Sequence, residues 1–245
     1  MKNILSIFIA TFIFFNSHAQ TYEAHYLVKQ PVQVDLGNNK TKEIMMEYEG
    51  LIYQSRAKAI TYLVPQYLME YPSGEIKIPM ESGFTIIPVN MDTMQLIYLY
   101  NTDSMRLWSF HSVNGNVSFS NTNKFSYKNT QWKLLPETRI INGLQCQHAK
   151  MLAGSDTTRL IHDIWFYPDV SMRFGLIGLK GAPGLIVECS SPLANISYSL
   201  KYFKTNEPID NAVFWPPIFN KAKFKEMSSA VKSVKDAKKL VIMNE

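Results

Sequence analysis

The sequence repeats short segments in which apolar and polar residues alternate with a period of two. These segments are rich in Tyr, Ile, Val, Phe and Trp, and they are separated by Asn, Gly, Asp and Pro. Such a pattern is typical of β-strands with one buried face, joined by tight turns. Helical crossovers do not fit between the later segments, which favours an antiparallel meander over parallel βαβ units.

We therefore predict a mainly β fold: an antiparallel, strongly curved sheet or half-open barrel with a C-terminal amphipathic helix. The predicted strands are residues 22–28, 44–53, 94–100, 105–110, 117–120, 144–152, 160–167, 185–189 and 196–203. Residues 57–69 fit either a strand or a helical turn. Pro31 is expected to end the first strand, Gly50 to mark a bulge, and Asn114-Gly115 to form a hairpin turn.

Residues 1–19 have the pattern of a secretory signal peptide. Lys2 provides a positive start, an apolar run of about a dozen residues follows, and small residues precede Gln20 at the positions that signal peptidase favours. A membrane anchor would need roughly 20 apolar residues. The sequence therefore predicts an exported protein of the periplasm, the outer-membrane surface or the extracellular space.

Export bears on the redox state of the two cysteines, Cys146 and Cys189. An even pair in an oxidising compartment is a candidate disulfide. The alternative is two separate buried thiols, since free cysteine packs as a small hydrophobe. No CxxC motif is present, so the sequence predicts neither a thioredoxin-like site nor a zinc site of the cysteine type.

Of the net charge of +5, four charges come from the end of the chain and one from Lys2. Residues 221–245 hold seven lysines and three acids, whereas residues 20–220 are balanced. The sequence therefore predicts a β-rich domain over 20–220 that binds no nucleic acid, and a basic amphipathic helix over 221–245. That helix either packs its apolar stripe on the sheet or makes a peripheral contact with anionic lipid or a partner.

Three blocks of motif residues lie between residues 132 and 190. They are Trp132 with Glu137-Thr138, Gly143, Cys146 and Ala149; then Trp165-Phe166-Tyr167-Pro168-Asp169; and finally Gly181-Ala182-Pro183-Gly184-Leu185-Ile186. In this order they resemble the GLPGLI family of exported proteins, found mainly in Bacteroidetes. Ala182 replaces the usual Leu of the naming motif. The resemblance implies an exported β-rich protein and no particular reaction.

The last block has a physical interpretation of its own. Gly181 and Gly184 permit positive φ or a close backbone approach, Pro183 fixes φ, and Leu185-Ile186 begins an apolar run. We expect a turn that leads into a buried strand. An anion-binding loop would need a following helix, and the remaining alternative is a loop that faces a partner.

The sequence offers few groups for catalysis. The mature chain has His25, His111, His148 and His162, and it has no HExxH, GxSxG or phosphate-loop motif. His162 and Asp163 are strand neighbours and should point to opposite faces. Cys146 and His148 should share a face, the one arrangement that permits a nucleophile beside a base. No catalytic residue, cofactor or metal is predicted.

The high aromatic content permits a ligand pocket within the sheet, for which Trp165, Phe166, Trp108 and Tyr98 are the candidate lining. The sequence thus favours a non-enzymatic cell-envelope protein that binds a partner protein or an apolar ligand. The alternatives are a secreted hydrolase with dispersed catalytic residues and a packed structural or assembly component.

Overall fold

The computed structural model describes residues 20–80, 83–122, 124–125, 132–152 and 160–215. The signal-peptide prediction for 1–19 and the helix prediction for 221–245 lie outside these residues. Within them no helix has the length and apolarity to cross a membrane.

The described chain is mainly β-strand. Its strands are β1 (Tyr22–Asp35), β2 (Thr41–Gln54), β3 (Lys58–Pro65), β4 (Glu75–Met80), β5 (Gly83–Pro88), β6 (Gln95–Asn101), β7 (Arg106–Val113), β8 (Asn116–Thr122), β9 (Trp132–Ile141), β10 (Leu144–Leu152), β11 (Leu160–Tyr167), β12 (Leu185–Ser191) and β13 (Ile196–Thr205). One helical turn, α1 (Tyr67–Glu70), follows β3, and a 3-10 turn covers Asn211–Phe214.

Eleven of these strands form one antiparallel sheet in the order β8-β7-β6-β3-β2-β1-β13-β12-β11-β10-β9. Strands β9 to β13 run as a meander, and β1 joins that meander to the first half of the chain by pairing with both β2 and β13. Strands β8 and β9 lie at opposite ends, so the sheet is open over the described residues. The predicted antiparallel sheet is confirmed, and β4 and β5 form a separate two-stranded ribbon.

The main core lies on one face of the sheet. Alternate residues of β1 point into it, and Tyr22, Ala24, Tyr26 and Val28 are at most 3% exposed. The β4–β5 ribbon and the segment 168–184 cover this face with apolar side chains, among them Ile76, Ile78, Met172, Leu176 and Leu179. The central strands are therefore buried on this side.

We call the opposite face of the sheet the outer face. Over β3, β6, β7 and β8 it holds a second apolar cluster, in which Phe214 of the 3-10 turn joins Ile60, Ile97 and Phe110. Over the neighbouring strands β2, β1, β13, β12, β11 and β10, the outer face instead holds charged, hydroxyl and aromatic side chains. That half of the outer face positions the candidate site.

The expectation that Pro31 ends the first strand is wrong. β1 continues to Asp35, with Pro31 paired to Met45 of β2. On the other side of β1, pairing with β13 stops at Lys29 and Ser197, so beyond that point β1 is an edge strand. A proline lacks the N–H of a ladder bond, and an edge strand tolerates that loss.

The bulge expected at Gly50 is also wrong. Gly50 keeps regular register with Tyr26 on one side and Leu63 on the other. Its missing side chain makes room for Leu176, which packs directly over it from the 168–184 segment. The register shift of β1 lies instead between His25 and Tyr26, against β13.

The hairpin predicted at Asn114-Gly115 is confirmed. Asn114 and Gly115 both have positive φ, 50° and 83°, and join β7 to β8 as a two-residue turn. The ambiguous residues 57–69 contain both alternatives, because β3 ends at Pro65 and α1 begins at Tyr67. Strands β4, β5 and β9 were not predicted.

The disulfide alternative for Cys146 and Cys189 is corrected by the structure, in which both thiols are free and buried. Cys146 lies on β10 and Cys189 on β12, with β11 between them. Two strand spacings separate backbones by about 10 Å, beyond the roughly 7 Å that a disulfide spans.

Candidate functional site

A trough runs along the outer face over β12 and β13. Its floor is formed by Ser190 of β12 and by Ser197 and Ser199 of β13. Ser190 lies opposite Ser197, and Ser199 lies opposite Glu188. Three of the four side chains at these positions are short, and Glu188 of β12 occupies the fourth. The resulting cavity measures about 330 Å³ and opens to solvent.

The walls come from the strands that flank the floor. Leu27 and Lys29 of β1 stand on one side, and Asp163 and Trp165 of β11 on the other. Two rows of cross-strand neighbours contain all these residues. Across β2, β1, β13, β12, β11 and β10 the first row is Glu47, Lys29, Ser197, Ser190, Asp163 and Lys150, and the second is Glu49, Leu27, Ser199, Glu188, Trp165 and His148.

The three floor hydroxyls are available to a ligand. Among the described residues, none of Ser190, Ser197 and Ser199 has a side-chain hydrogen bond to another part of the protein. Ser190 and Ser197 are exposed and Ser199 is half-buried. A serine hydroxyl both donates and accepts, so the floor offers both functions without breaking an internal contact.

The β11 wall is a stack of rings and a guanidinium. His148 lies parallel to Trp165, with ring centroids 4.6 Å apart. The guanidinium carbon of Arg139 lies 4.1 Å from the centre of the same indole. Arg139 also forms an ion pair with Glu188 at the trough. Cation–π and stacking contacts of this kind hold the indole in one orientation.

Asp163 is the centre of a charged network on this wall. One of its oxygens lies 2.6 Å from Nε2 of His148, and the other lies 3.4 Å from Nζ of Lys150. Glu137 of β9 approaches Nδ1 of His148 at 3.8 Å. The described contacts of His148 are thus two carboxylates and an indole, and none is a serine, threonine or cysteine side chain.

The β1 wall ends in a second histidine cluster. Nε2 of His25 lies 2.8 Å from Glu23 and Nδ1 lies 3.0 Å from Glu49, while the ring stacks on Tyr202 with centroids 4.2 Å apart. A neutral imidazole donates from one nitrogen only, whereas the imidazolium donates from both. The cluster ties β1 to β2 and to β13. Four residues further along β1, Lys29 pairs with Glu47 at 3.4 Å.

His162 points away from this site, as the strand alternation predicts. It is buried on the core side, and Asp163 is on the outer face. Burial lowers the pKa of His162 to about 4, because the charged imidazolium is poorly solvated there. His162 therefore belongs to the core and not to the charged network of its neighbour.

Cys146 does not form the nucleophile–base pair that its spacing from His148 permits. Its thiol is buried and donates to the carbonyl of Leu144 at 3.4 Å. Burial raises the pKa of the thiol, which favours the unreactive neutral form. Cys146 is therefore not an activated nucleophile of the kind that the hydrolase hypothesis would need.

The Gly181 to Ile186 block is a turn that leads into β12. Gly181 has φ +69°, and Leu185 and Ile186 are at most 1% exposed. A Cβ added at Gly184 would lie 2.5 Å from the carbonyl oxygen of Tyr167. The block thus packs against the end of β11, where Trp165, Phe166 and Pro168 lie. Its side chains face the core, behind the trough.

The four residues expected to line a pocket are not brought together. Trp165 lines the trough. Phe166 is 2% exposed in the main core, and Trp108 of β7 packs against the second apolar cluster. Tyr98 of β6 packs near Gly178 on the core side. Alternation along β11 separates Trp165 from Phe166, and five other strands lie between β11 and β6.

Over the described residues, no group of three or more His, Cys, Asp or Glu side chains is arranged to hold a metal ion. The histidine–carboxylate clusters contain one histidine each. Their carboxylates face a ring nitrogen, and Asp163 also faces a lysine.

No family model matches the chain, and no curated protein matches it. Among solved structures, PNGF-II in the C2 space group is 15% identical, with 85% of this chain and 32% of that chain covered and a TM-score of 0.46. PNGF-II in the P21 space group is 14% identical, with 85% and 33% covered and a TM-score of 0.43. This chain spans about a third of the length of those chains.

Proposed function

We propose that this chain is an exported cell-envelope protein that binds a partner protein through the outer-face trough. The observation that supports this most is the floor of three unpartnered hydroxyls between an aliphatic and an aromatic wall. Serine occupies three neighbouring positions of the sheet, and its short side chain leaves a groove that another molecule can enter. The charged network around the groove holds its walls in place.

The trough favours a polar partner over the apolar ligand that the sequence also permitted. Sites for apolar molecules are concave and enclosed by apolar side chains. Here the groove is open, with three hydroxyls and the carboxylate of Glu188 on its floor, Asp163 on one flank and Lys29 on the other. Such a surface suits hydrogen bonding to a large molecule that remains partly in water.

A role in assembly is a second candidate, favoured by the β4–β5 ribbon. Its inner residues Ile76 and Ile78 are buried, while Phe84 and Ile86 on its outer side are 60% and 47% exposed. Exposed apolar residues that cluster on one strand face mark contact surfaces. This ribbon lies on the core side of the sheet, so it would engage a different partner surface from the trough.

The decisive experiment is photo-crosslinking of the full chain in the cell that makes it. A photoreactive amino acid replaces Ser199 in one variant and the exposed turn residue Ser73 in a control. We expect a discrete crosslinked protein from position 199 that is absent from position 73 and is lost when Ser197→Arg is added. Equal crosslinking from both positions, or none from 199, would contradict the proposal.

Export is tested separately by the intact mass of the protein recovered from cell fractions. The signal-peptide prediction requires a chain that begins at Gln20 in the envelope or in the medium. A chain that retains Met1 in the cytoplasm would contradict it. Removal of residues 221–245 tests the predicted peripheral contact, which requires that the membrane-bound fraction decrease.

A further inference from the structure

We propose that the trough accepts an extended polypeptide segment of the partner, running along β12 and β13, with a small side chain at every second position. This inference rests on the proposed binding role of the trough and specifies what occupies it. Three features support it: the width of the groove, the spacing of the floor serines and the charges of the two walls.

The width fits one extended chain. The walls stand on β1 and β11, which are three strand spacings apart, so their backbones are separated by about 14 Å. Leu27 and Trp165 project from those backbones and narrow the opening. An α-helix with its side chains is roughly 10–12 Å across and would fill the whole distance between backbones. A single strand leaves room for both walls.

The floor repeats at the period of an extended chain. Ser197 and Ser199 are two residues apart on β13, which places their side chains about 6.6 Å apart on the same face. Alternate side chains of an extended segment have the same separation. Two successive downward side chains of the segment would therefore meet Ser197 and Ser199 on β13, next to Ser190 and Glu188 on β12. A short side chain such as Ser, Thr, Ala or Gly fits best, because the trough is shallow.

The walls provide opposite partners for main-chain amides. Lys29 on the β1 side has an ammonium group that donates, and Asp163 on the β11 side has a carboxylate that accepts. An extended segment presents an N–H and a C=O together on each flank, two residues apart. A helix bonds its amides internally and offers neither group to the walls. The charges of the two walls thus favour an extended partner segment over a helix, independently of the other side chains of that segment.

The test is a selection of random twelve-residue peptides on the purified full chain, with the Ser199→Arg variant as the counter-selection. Ser190→Arg is a second filled variant, and Ser73→Arg is the matched control for adding an arginine at an exposed serine. Circular dichroism and the thermal midpoint establish that each variant folds. Calorimetry then measures the binding of the enriched peptides.

We expect enriched peptides with small residues at a period of two, bound at least about tenfold more weakly by both filled variants than by Ser73→Arg. Small or apolar residues at a helical period, equal binding to the filled variants, or no enrichment would overturn the inference. The crosslinking experiment separates the two proposals. A partner captured at position 199 with helical peptides in the selection would leave the binding role intact and remove only the extended segment.

Discussion

The imidazole of His148 lies flat against the indole of Trp165, with centroids 4.6 Å apart and planes 6° apart. The two residues are direct cross-strand neighbours on β10 and β11. Asp163 holds the imidazole from one strand, and Arg139 lies over the indole from another. The wall of the trough is therefore a rigid unit that spans strands β9 to β11.

Replacement of Trp165 should loosen this wall. Trp165→Ala removes the surface on which His148 stacks and the ring that Arg139 covers, and we expect a loss of about 1–2 kcal/mol in the free energy of unfolding. Urea denaturation measures it. Trp165→Phe retains an aromatic plane and should lose less. Equal losses in the two variants would show that stacking does not stabilise the wall.

Acidification should lower the free energy of unfolding, because His162 binds a proton more readily in the unfolded chain. Burial lowers its pKa to about 4, while the unfolded chain keeps a value near 6.5. Between these values the unfolded chain binds a proton that the folded chain does not. The contribution of His162 to the free energy of unfolding is therefore fully present above about pH 6.5, and it declines by up to about 3 kcal/mol as the pH falls to 4. Urea midpoints at pH 7 and pH 4.5 measure the decline.

The variant His162→Gln cannot take up that proton and should show a smaller decline between the two pH values. His111→Gln is the control, because it removes an exposed histidine instead of a buried one. An identical pH dependence in His162→Gln and in the unmodified chain would mean that His162 is solvated in the folded protein.

Both cysteines should be recovered as thiols without a reducing agent. Cys146 and Cys189 are separated by β11, and burial raises the pKa of Cys189 to about 12. We expect slow alkylation by iodoacetamide in the native protein and two adducts per chain after denaturation, measured by intact mass. A reduced sample should give the same two adducts. A denatured, unreduced sample without adducts would establish a disulfide and a different arrangement of β10 to β12.

Sequence patterns identified most of the sheet but not its charged clusters. The predicted segments 144–152 and 160–167 coincide with β10 and β11, because alternation and turn residues are local properties. The contact between His148 and Asp163 arises from the register between those strands. Pairing the two segments as a hairpin would have placed these residues near each other, whereas a search for adjacent His–acid pairs found only His162 and Asp163.

Three strands were missed for identifiable physical reasons. β4 and β5 each contain a proline, Pro79 and Pro88, which argues against a central strand but is tolerated in a two-stranded ribbon. β9 contains Pro136 among charged residues and is exposed along most of its length, since it forms one end of the sheet. Edge strands do not show the apolar alternation by which buried strands are found.

The tightest backbone approach in the Gly181 to Ile186 block yields the last prediction. A methyl group at Gly184 would lie 2.5 Å from the carbonyl oxygen of Tyr167, an atom of the β11 backbone that cannot move without disturbing the ladder. We expect Gly184→Ala to lower the free energy of unfolding by about 2 kcal/mol or more. Gly143→Ala is the matched control, because Gly143 has φ +80° and no atom within 4 Å of the added methyl. Its cost should be about 1 kcal/mol, from the left-handed conformation alone. Equal costs would show that β12 can shift away from β11, and the floor of the trough would then be adjustable.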